Sequence, residues 1–217
     1  MGFHPKLELG FISPVYASPA SVDEQFGKIY SALYFFLASR SRNQRKAYQK
    51  IVSDVVRQNP GSVLDIGCGP GIAISMIAKK LPETEVFCVD PSPAMIKIAR
   101  NRFKKLGLEK RVISDVIGSS RLGFDREFDI VFTSLSFHHW ADPVSSLKSI
   151  LLKLKEGGQM FIYENLIGDS TKVNNKHPGH GISRQFADSL NFDGYEKSVE
   201  LTDKNIIVRF KRSGQSA

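Results

Sequence analysis

Ser62-Val63-Leu64-Asp65-Ile66-Gly67-Cys68-Gly69-Pro70-Gly71-Ile72 is the stretch that decides the fold of this chain. The aliphatic and β-branched run from Ser62 to Ile66 predicts a buried strand. Three alternating glycines follow, and the apolar spacing from Ile72 to Leu81 predicts a helix packed on a sheet. Glycine belongs in such a bend because the chain must reverse tightly and let a ligand reach the backbone with no Cβ in the way. Roughly 20 residues on, a second apolar run, Val86 to Val89, ends in Asp90, where a dinucleotide fold carries its ribose-binding acid.

The spacing is Gly-x-Gly-x-Gly with an acid two residues before the first glycine. The dinucleotide fingerprint is Gly-x-Gly-x-x-Gly, so the match is to a different loop. On Asp65, Gly67, Gly69, Gly71 and Asp90 the chain resembles the class I S-adenosylmethionine-dependent methyltransferases, of the small-molecule and quinone type. The resemblance runs from about Phe26 to the C-terminus and is strongest from Val63 to Glu164. It implies an α/β, Rossmann-like class I methyltransferase fold: a mostly parallel seven-stranded sheet with a C-terminal antiparallel hairpin and an N-terminal helical cap. It also implies a single methyltransferase domain over residues 1–217, made of an arm and cap (1–58), a cofactor-binding core (62–165) and a closing loop, helix and hairpin (166–217). The cofactor it implies is S-adenosyl-L-methionine, with S-adenosyl-L-homocysteine as product.

A chain of 217 residues suits one domain with a substantial core. Its 41% hydrophobic and 24% charged residues are ordinary for a globular protein. No apolar run approaches the roughly 20 residues a membrane helix needs. The N-terminus lacks the basic, apolar and small-residue order of a secretory signal, so a cytoplasmic location is expected. Cys68 and Cys88 cannot make a structural zinc site alone. In a reducing compartment no disulfide is expected between them, and both are read as packing residues. The net charge of +8 favours anions, and a generally lysine-rich surface accounts for it ahead of nucleic-acid binding.

Along the chain, residues 1–20 predict an extended arm, and Phe26, Ile29, Tyr30, Leu33, Tyr34 and Leu37 fall at helical spacing. A second helix starts in the basic patch Arg40, Arg42, Arg45, Lys46 and stops at Asn59-Pro60-Gly61. Pro91-Ser92 opens a helix carrying Met95, Ile96, Ala99 and Phe103. Residues 111–117 and 128–134 predict the third and fourth strands. Asp142 is the expected cap of a helix from Pro143 to Leu154 that Gly157-Gly158 ends, followed by a fifth strand over 160–163. Ser183 caps a short helix, and residues 195–201 and 206–210 form the terminal hairpin.

The resemblance assigns roles to individual residues. Asp90 accepts both ribose hydroxyls, a task suited to a carboxylate with two acceptor oxygens. Gly67, Cys68, Gly69 and Gly71 bring backbone against the methionine and ribose portions, and Asp65 orders the loop and attracts the ammonium group. Pro91 and Met95 flank the adenine. Ser119 stands where the family usually has an acid for the adenine amine, with Asp115 as the alternative if the third strand ends early. Ser134 and Leu135 border the methyl group, because ligands of an open α/β sheet sit beyond the carboxyl ends of its strands.

A base is needed only if the acceptor must lose a proton. His138 and His139 are the candidate catalytic residues, since imidazole titrates near neutrality, with Glu164, Tyr30 and Tyr34 behind them. Tyr30, Tyr34, Phe137 and Trp140, together with Phe35 and Phe36, predict an apolar or aromatic acceptor pocket, against the commoner fate of such rings as core. His177-Pro178-Gly179-His180 reads as a turn, and no metal is expected.

The function expected from these residues is methyl transfer from S-adenosylmethionine to a small-molecule acceptor by in-line displacement at the sulfonium. Ser134-Leu135-Ser136-Phe137 stands where nucleic-acid amino-methyltransferases carry Asn/Asp-Pro-Pro-aromatic, and neither cysteine lies there for a pyrimidine carbon-5 enzyme. The alternatives are an RNA- or protein-directed methyltransferase and a noncatalytic S-adenosylmethionine-binding protein. Glycine spacing disfavours a nicotinamide dehydrogenase.

Overall fold

The computed structural model describes residues 42–168 and 180–214. The expected arm and first helix, with Tyr30, Tyr34, Phe35, Phe36 and Arg40, lie outside the described residues, as does His177. Helix α1 (Arg42–Arg57) leads into β1 (Ser62–Ile66), α2 (Ile72–Lys80), β2 (Glu85–Val89), α3 (Pro93–Lys105) and β3 (Val112–Asp115). Then come β4 (Phe128–Ser134), α4 (Pro143–Leu151), β5 (Leu154–Ile167), β6 (Ile182–Ser183), α5 (Arg184–Ser189), β7 (Tyr195–Leu201) and β8 (Asn205–Arg212). The main sheet runs β3-β2-β1-β4-β5-β8-β7, and β6 pairs with the far end of β5. Strands β1 to β5 are parallel neighbours, while β8 is antiparallel to both β5 and β7. This is the mostly parallel sheet with a terminal antiparallel hairpin that the sequence predicts.

All five residues of β1 are buried, as a central parallel strand covered on both faces requires. Alternate side chains divide between two cores. Val63, Cys88, Ile130, Phe132 and Phe161 meet Ile51 and Val55 of α1, Ile74 and Ile77 of α2, and Ala99 and Phe103 of α3. Leu64, Phe87, Val131, Ile162 and Val208 meet Leu147 and Ile150 of α4 and Ala187 of α5 on the opposite face.

The caps expected at Asp142 and Ser183 form, and Ser92 caps the helix expected to open at Pro91-Ser92. Ser92 accepts from the Met95 N–H at 3.4 Å, Asp142 from Ser145 at 3.0 Å and Ser183 from Phe186 at 3.1 Å. Each contributes about 1 kcal/mol to its helix. The end of α4 differs from expectation. It stops at Leu151, and Gly157-Gly158 lies inside β5 rather than closing a helix. The step from Phe128 to Ile130 on β4 faces the longer step from Leu154 to Gln159, so β5 carries a bulge there. A Cβ on Gly158 would lie 2.8 Å from the Lys155 carbonyl oxygen, so the bulge, not a helix stop, is what needs glycine.

Helix α1 is tied to the sheet by polar contacts. The Asp54 carboxylate, 4% exposed, accepts from the Tyr163 hydroxyl at 3.0 Å, Lys50 at 2.8 Å and Arg209 at 3.3 Å. Burial alone would raise the Asp54 pKa, but these three partners outweigh it and hold the carboxyl below its ordinary range. Among the described residues no helix is long and apolar enough to cross a membrane.

Candidate functional site

At the tips of β1 and β2 the glycine bend is fastened by its own backbone. The N–H groups of Gly67 and Cys68 both donate to the Val89 carbonyl, at 2.8 and 3.0 Å. Asp90 braces two segments at once: Oδ2 accepts the Gly69 N–H and Oδ1 the Ser92 N–H, each at 2.9 Å. Burial raises the Asp90 pKa, opposed by these two hydrogen bonds. Gly67 has φ +73°, and a Cβ there would lie 1.9 Å from Ser136 Oγ, so glycine is required twice over. Gly69, at φ +52°, differs: a Cβ on it would meet nothing within 4 Å and would project into open space.

Beside that opening lies Asp65, 2% exposed, whose Oδ1 has no hydrogen-bond partner. Burial, and then the charge of Asp90, push its pKa well above the ordinary carboxylate value. A buried carboxylate oxygen without a donor calls for one, and a ligand's ammonium group would supply it. Tyr48, Asp65, Gly67, Cys68, Gly69, Pro70, Ala73 and Ser134 line a cleft. These residues fit the amino-acid and ribose portions of S-adenosylmethionine. Cys68 and Cys88 are free thiols within the core, as expected of packing residues, and their mutual hydrogen bond followed by burial raises the Cys68 pKa.

Met95 is 8% exposed and belongs to neither core cluster, while Pro91 beside it is exposed. Strand β3 ends early, so the tip position falls to Asp115, whose Oδ1 accepts the Val116 N–H at 2.7 Å. Ser119, expected at that position, instead opens a short 3₁₀ turn, Ser119–Arg121.

Beyond Ser134 at the tip of β4, Leu135 takes φ +52° and donates its N–H to the Tyr163 carbonyl at 2.8 Å. A left-handed leucine is held there by the surrounding structure, and such strain gathers at ligand sites. A 3₁₀ turn, Phe137–His139, follows, with three residues per turn sending successive side chains in different directions. Phe137 goes into the core: it is fully buried, 4.8 Å ring to ring from Trp140 and 6.3 Å from Phe186. Trp140 packs on the same cluster and donates its indole N–H to Ser136 Oγ at 3.4 Å. Both were expected on the acceptor wall. Phe137 does not line it, because the turn that exposes a histidine must bury its neighbour, and Trp140 covers that buried ring.

His138 is the residue this turn delivers. Its side chain is 4% exposed, and Nδ1 lies 2.9 Å from both carboxylate oxygens of Glu164. Its backbone N–H also donates to Glu164 Oε1, at 3.3 Å. Nε2, on the far side of the ring, is buried without a partner. The His139 ring stacks 4.0 Å away, and burial, followed by His138 and His180, lowers its pKa to about 4. His180 completes the group, 5.7 Å from His138 and 5.9 Å from His139 between ring centroids. Glu164, expected as a lesser base, is the group that orients His138. Sequence reading missed that partnership, although the parallel pairing of Ser134 with Tyr163 makes residues just past both strand tips neighbours.

Residues 64–160 match the family model described as a methyltransferase domain. A demethylmenaquinone methyltransferase of Thermotoga maritima is 29% identical over 125 residues, which is 57% of this chain and 52% of the relative. An O-methyltransferase family protein from Burkholderia thailandensis shares the fold, with a TM-score of 0.72 at 15% identity over 89% of this chain and 63% of that one. The N-methyltransferase NodS from Bradyrhizobium japonicum, solved with S-adenosyl-L-homocysteine, superposes with a TM-score of 0.64 at 14% identity, over 80% of this chain and 89% of that one. The chain spans 34% to 53% of the length of the curated relatives it matches. The sheet order and the glycine bend are those of the methyltransferase fold that these solved structures share, and the matched segment, residues 64–160, contains the bend and Asp90.

Proposed function

We propose that the protein transfers the methyl group of S-adenosylmethionine to a small-molecule acceptor, leaving S-adenosylhomocysteine. The observation that carries this reading is the unpartnered Asp65 carboxylate oxygen beside a glycine bend that Asp90 holds open. S-adenosylmethionine would supply a methyl on positive sulfur, which needs no further activation. Asp65 faces its ammonium group, Gly67, Cys68, Gly69 and Gly71 give it close backbone, and Asp90 uses its remaining lone pairs on the ribose hydroxyls. Pro91, Met95 and the Asp115–Ser119 turn flank the adenine, and Ser134 and Leu135 border the methyl.

At the acceptor end the Glu164 carboxylate takes the Nδ1–H of His138, which fixes the tautomer and leaves the Nε2 lone pair free. That lone pair can accept the hydrogen bond of an acceptor hydroxyl or amine and so aim its heavy atom at the methyl, with His139 beside it. Alignment of this kind contributes on the order of 7–11 kcal/mol to such a transfer. A small acceptor is supported by the relative's activity on demethylmenaquinone. A cytoplasmic location belongs to the same reading, supported by two free thiols.

The test is incubation with methyl-labelled S-adenosylmethionine and fractionated host extract. The expected result is label in the small-molecule fraction. Label in RNA or protein overturns the acceptor class, and donor binding without label in any fraction overturns the enzymatic reading.

A further inference from the structure

Among the described residues, His138, His139 and His180 each place one nitrogen within 4.8 Å of the other two. Three features make this more than a crowding of rings. First, His138 Nδ1 is committed to Glu164 while the buried Nε2 has no partner. A carboxylate behind one imidazole nitrogen, with the other left bare, is how proteins orient a metal-ligating histidine. Second, His180 is fastened from behind. Its carbonyl accepts from Asn165 Nδ2 at 2.8 Å, and two residues later Ile182 pairs with Leu166 of β5. Gly181 permits this approach, since a Cβ there would lie 2.2 Å from the Asn165 carbonyl oxygen. Third, the donor set is three imidazoles, which suits zinc, cobalt or a similar transition metal rather than magnesium or calcium.

We propose that His138 Nε2, His139 and His180 bind one divalent transition-metal ion, leaving a fourth position open toward the acceptor. Bond lengths of about 2.0–2.1 Å place tetrahedral ligands about 3.4 Å apart, so the cluster contracts by about an ångström on binding. His139 and His180 are exposed and free to make that movement. The open position takes an acceptor oxygen, whose hydroxyl proton the ion's charge makes easier to lose. In the metal-bound form the ion, not the bare imidazole, meets the acceptor. His180, in a stretch from which the sequence predicts no metal, thereby becomes a ligand. This use of the ion rests on the methyltransferase reading, whereas its binding is measured without any methyl donor.

Titration of the metal-free full chain with Co²⁺ tests the site through the visible absorption of a tetrahedral or five-coordinate ion. One equivalent is expected to bind, with no thiolate charge-transfer band. His180→Ala, at an exposed position, weakens binding at least 10-fold, and Glu164→Gln weakens it about 10- to 100-fold by releasing His138. Absence of the visible band at millimolar Co²⁺, or binding that His180→Ala leaves unchanged, overturns the proposal. Calorimetry with S-adenosylhomocysteine on the same samples separates the two failures. Heat without a Co²⁺ band removes the ion alone, and a band without heat removes the methyltransferase reading.

Discussion

At one end of the cleft, backbone groups of one local stretch of chain hold Asp90, with the unpartnered Asp65 beside it. At the other, side chains from three separated segments hold one another, Glu164 against His138 and His180 against both histidines. The first arrangement is local: Gly69 and Asp90 are 21 positions apart and joined by adjacent strands. The second exists only once β4 and β5 pair and the chain returns through β6. A site made by backbone survives many side-chain changes and can serve a common cofactor. A site made by side chains is free to differ from one acceptor to the next. Ser136 touches both, since its hydroxyl lies against Gly67 and accepts from Trp140.

The largest expected effect breaks the cofactor end alone. Asp90→Ala removes two charge-assisted backbone hydrogen bonds and the ribose acceptor. Calorimetry should show about 100-fold weaker S-adenosylhomocysteine binding, corresponding to about 3 kcal/mol. The histidine end should be unaffected, with Co²⁺ affinity at the parent value. Equal losses at both ends would mean that the two are not independently built.

Next in size, Gly67→Ala should lower unfolding free energy by about 2 kcal/mol in urea titration, combining left-handed strain with the Ser136 clash. Adding Ser136→Gly should recover the clash and leave about 1 kcal/mol of strain. No recovery would separate the two ends energetically, contrary to the contact described.

The smallest effect concerns the α1 anchor that carries Tyr48 to the cofactor cleft. Asp54→Asn should cost about 1 kcal/mol at pH 7, since charged hydrogen bonds to Lys50 and Arg209 are lost. The folded Asp54 pKa lies below its unfolded value, so its stabilisation is complete above that unfolded value, about 3.9. It is lost as pH falls through the lower, folded value. The gap between parent and variant in urea unfolding should therefore close between pH 4 and more acidic conditions. A gap that stayed constant with pH would show that the carboxylate charge plays no part.

The same contrast governs what could be read before the fold was known. β1, β4 and the caps at Ser92, Asp142 and Ser183 follow from local rules, as does the glycine bend with its acid at Asp90. Gly157-Gly158 misled because a helix stop and a bulge use glycine for the same conformational reason, and only strand register tells them apart. Phe137 misled because an aromatic beside two histidines is equally suited to a pocket or to the core beneath the turn. Glu164 and His180 were visible as residue types, but their meeting with His138 depends on which strands become neighbours. Periodicity along one strand carries no record of that.

The central claim is that a glycine bend and two carboxylates at adjacent strand tips hold a sulfonium nucleoside. Isothermal calorimetry of the unaltered chain with S-adenosylhomocysteine tests it most directly. The account predicts a saturable heat at one ligand per chain that S-adenosylmethionine competes away. A folded protein giving no heat with either compound at millimolar concentration would contradict it.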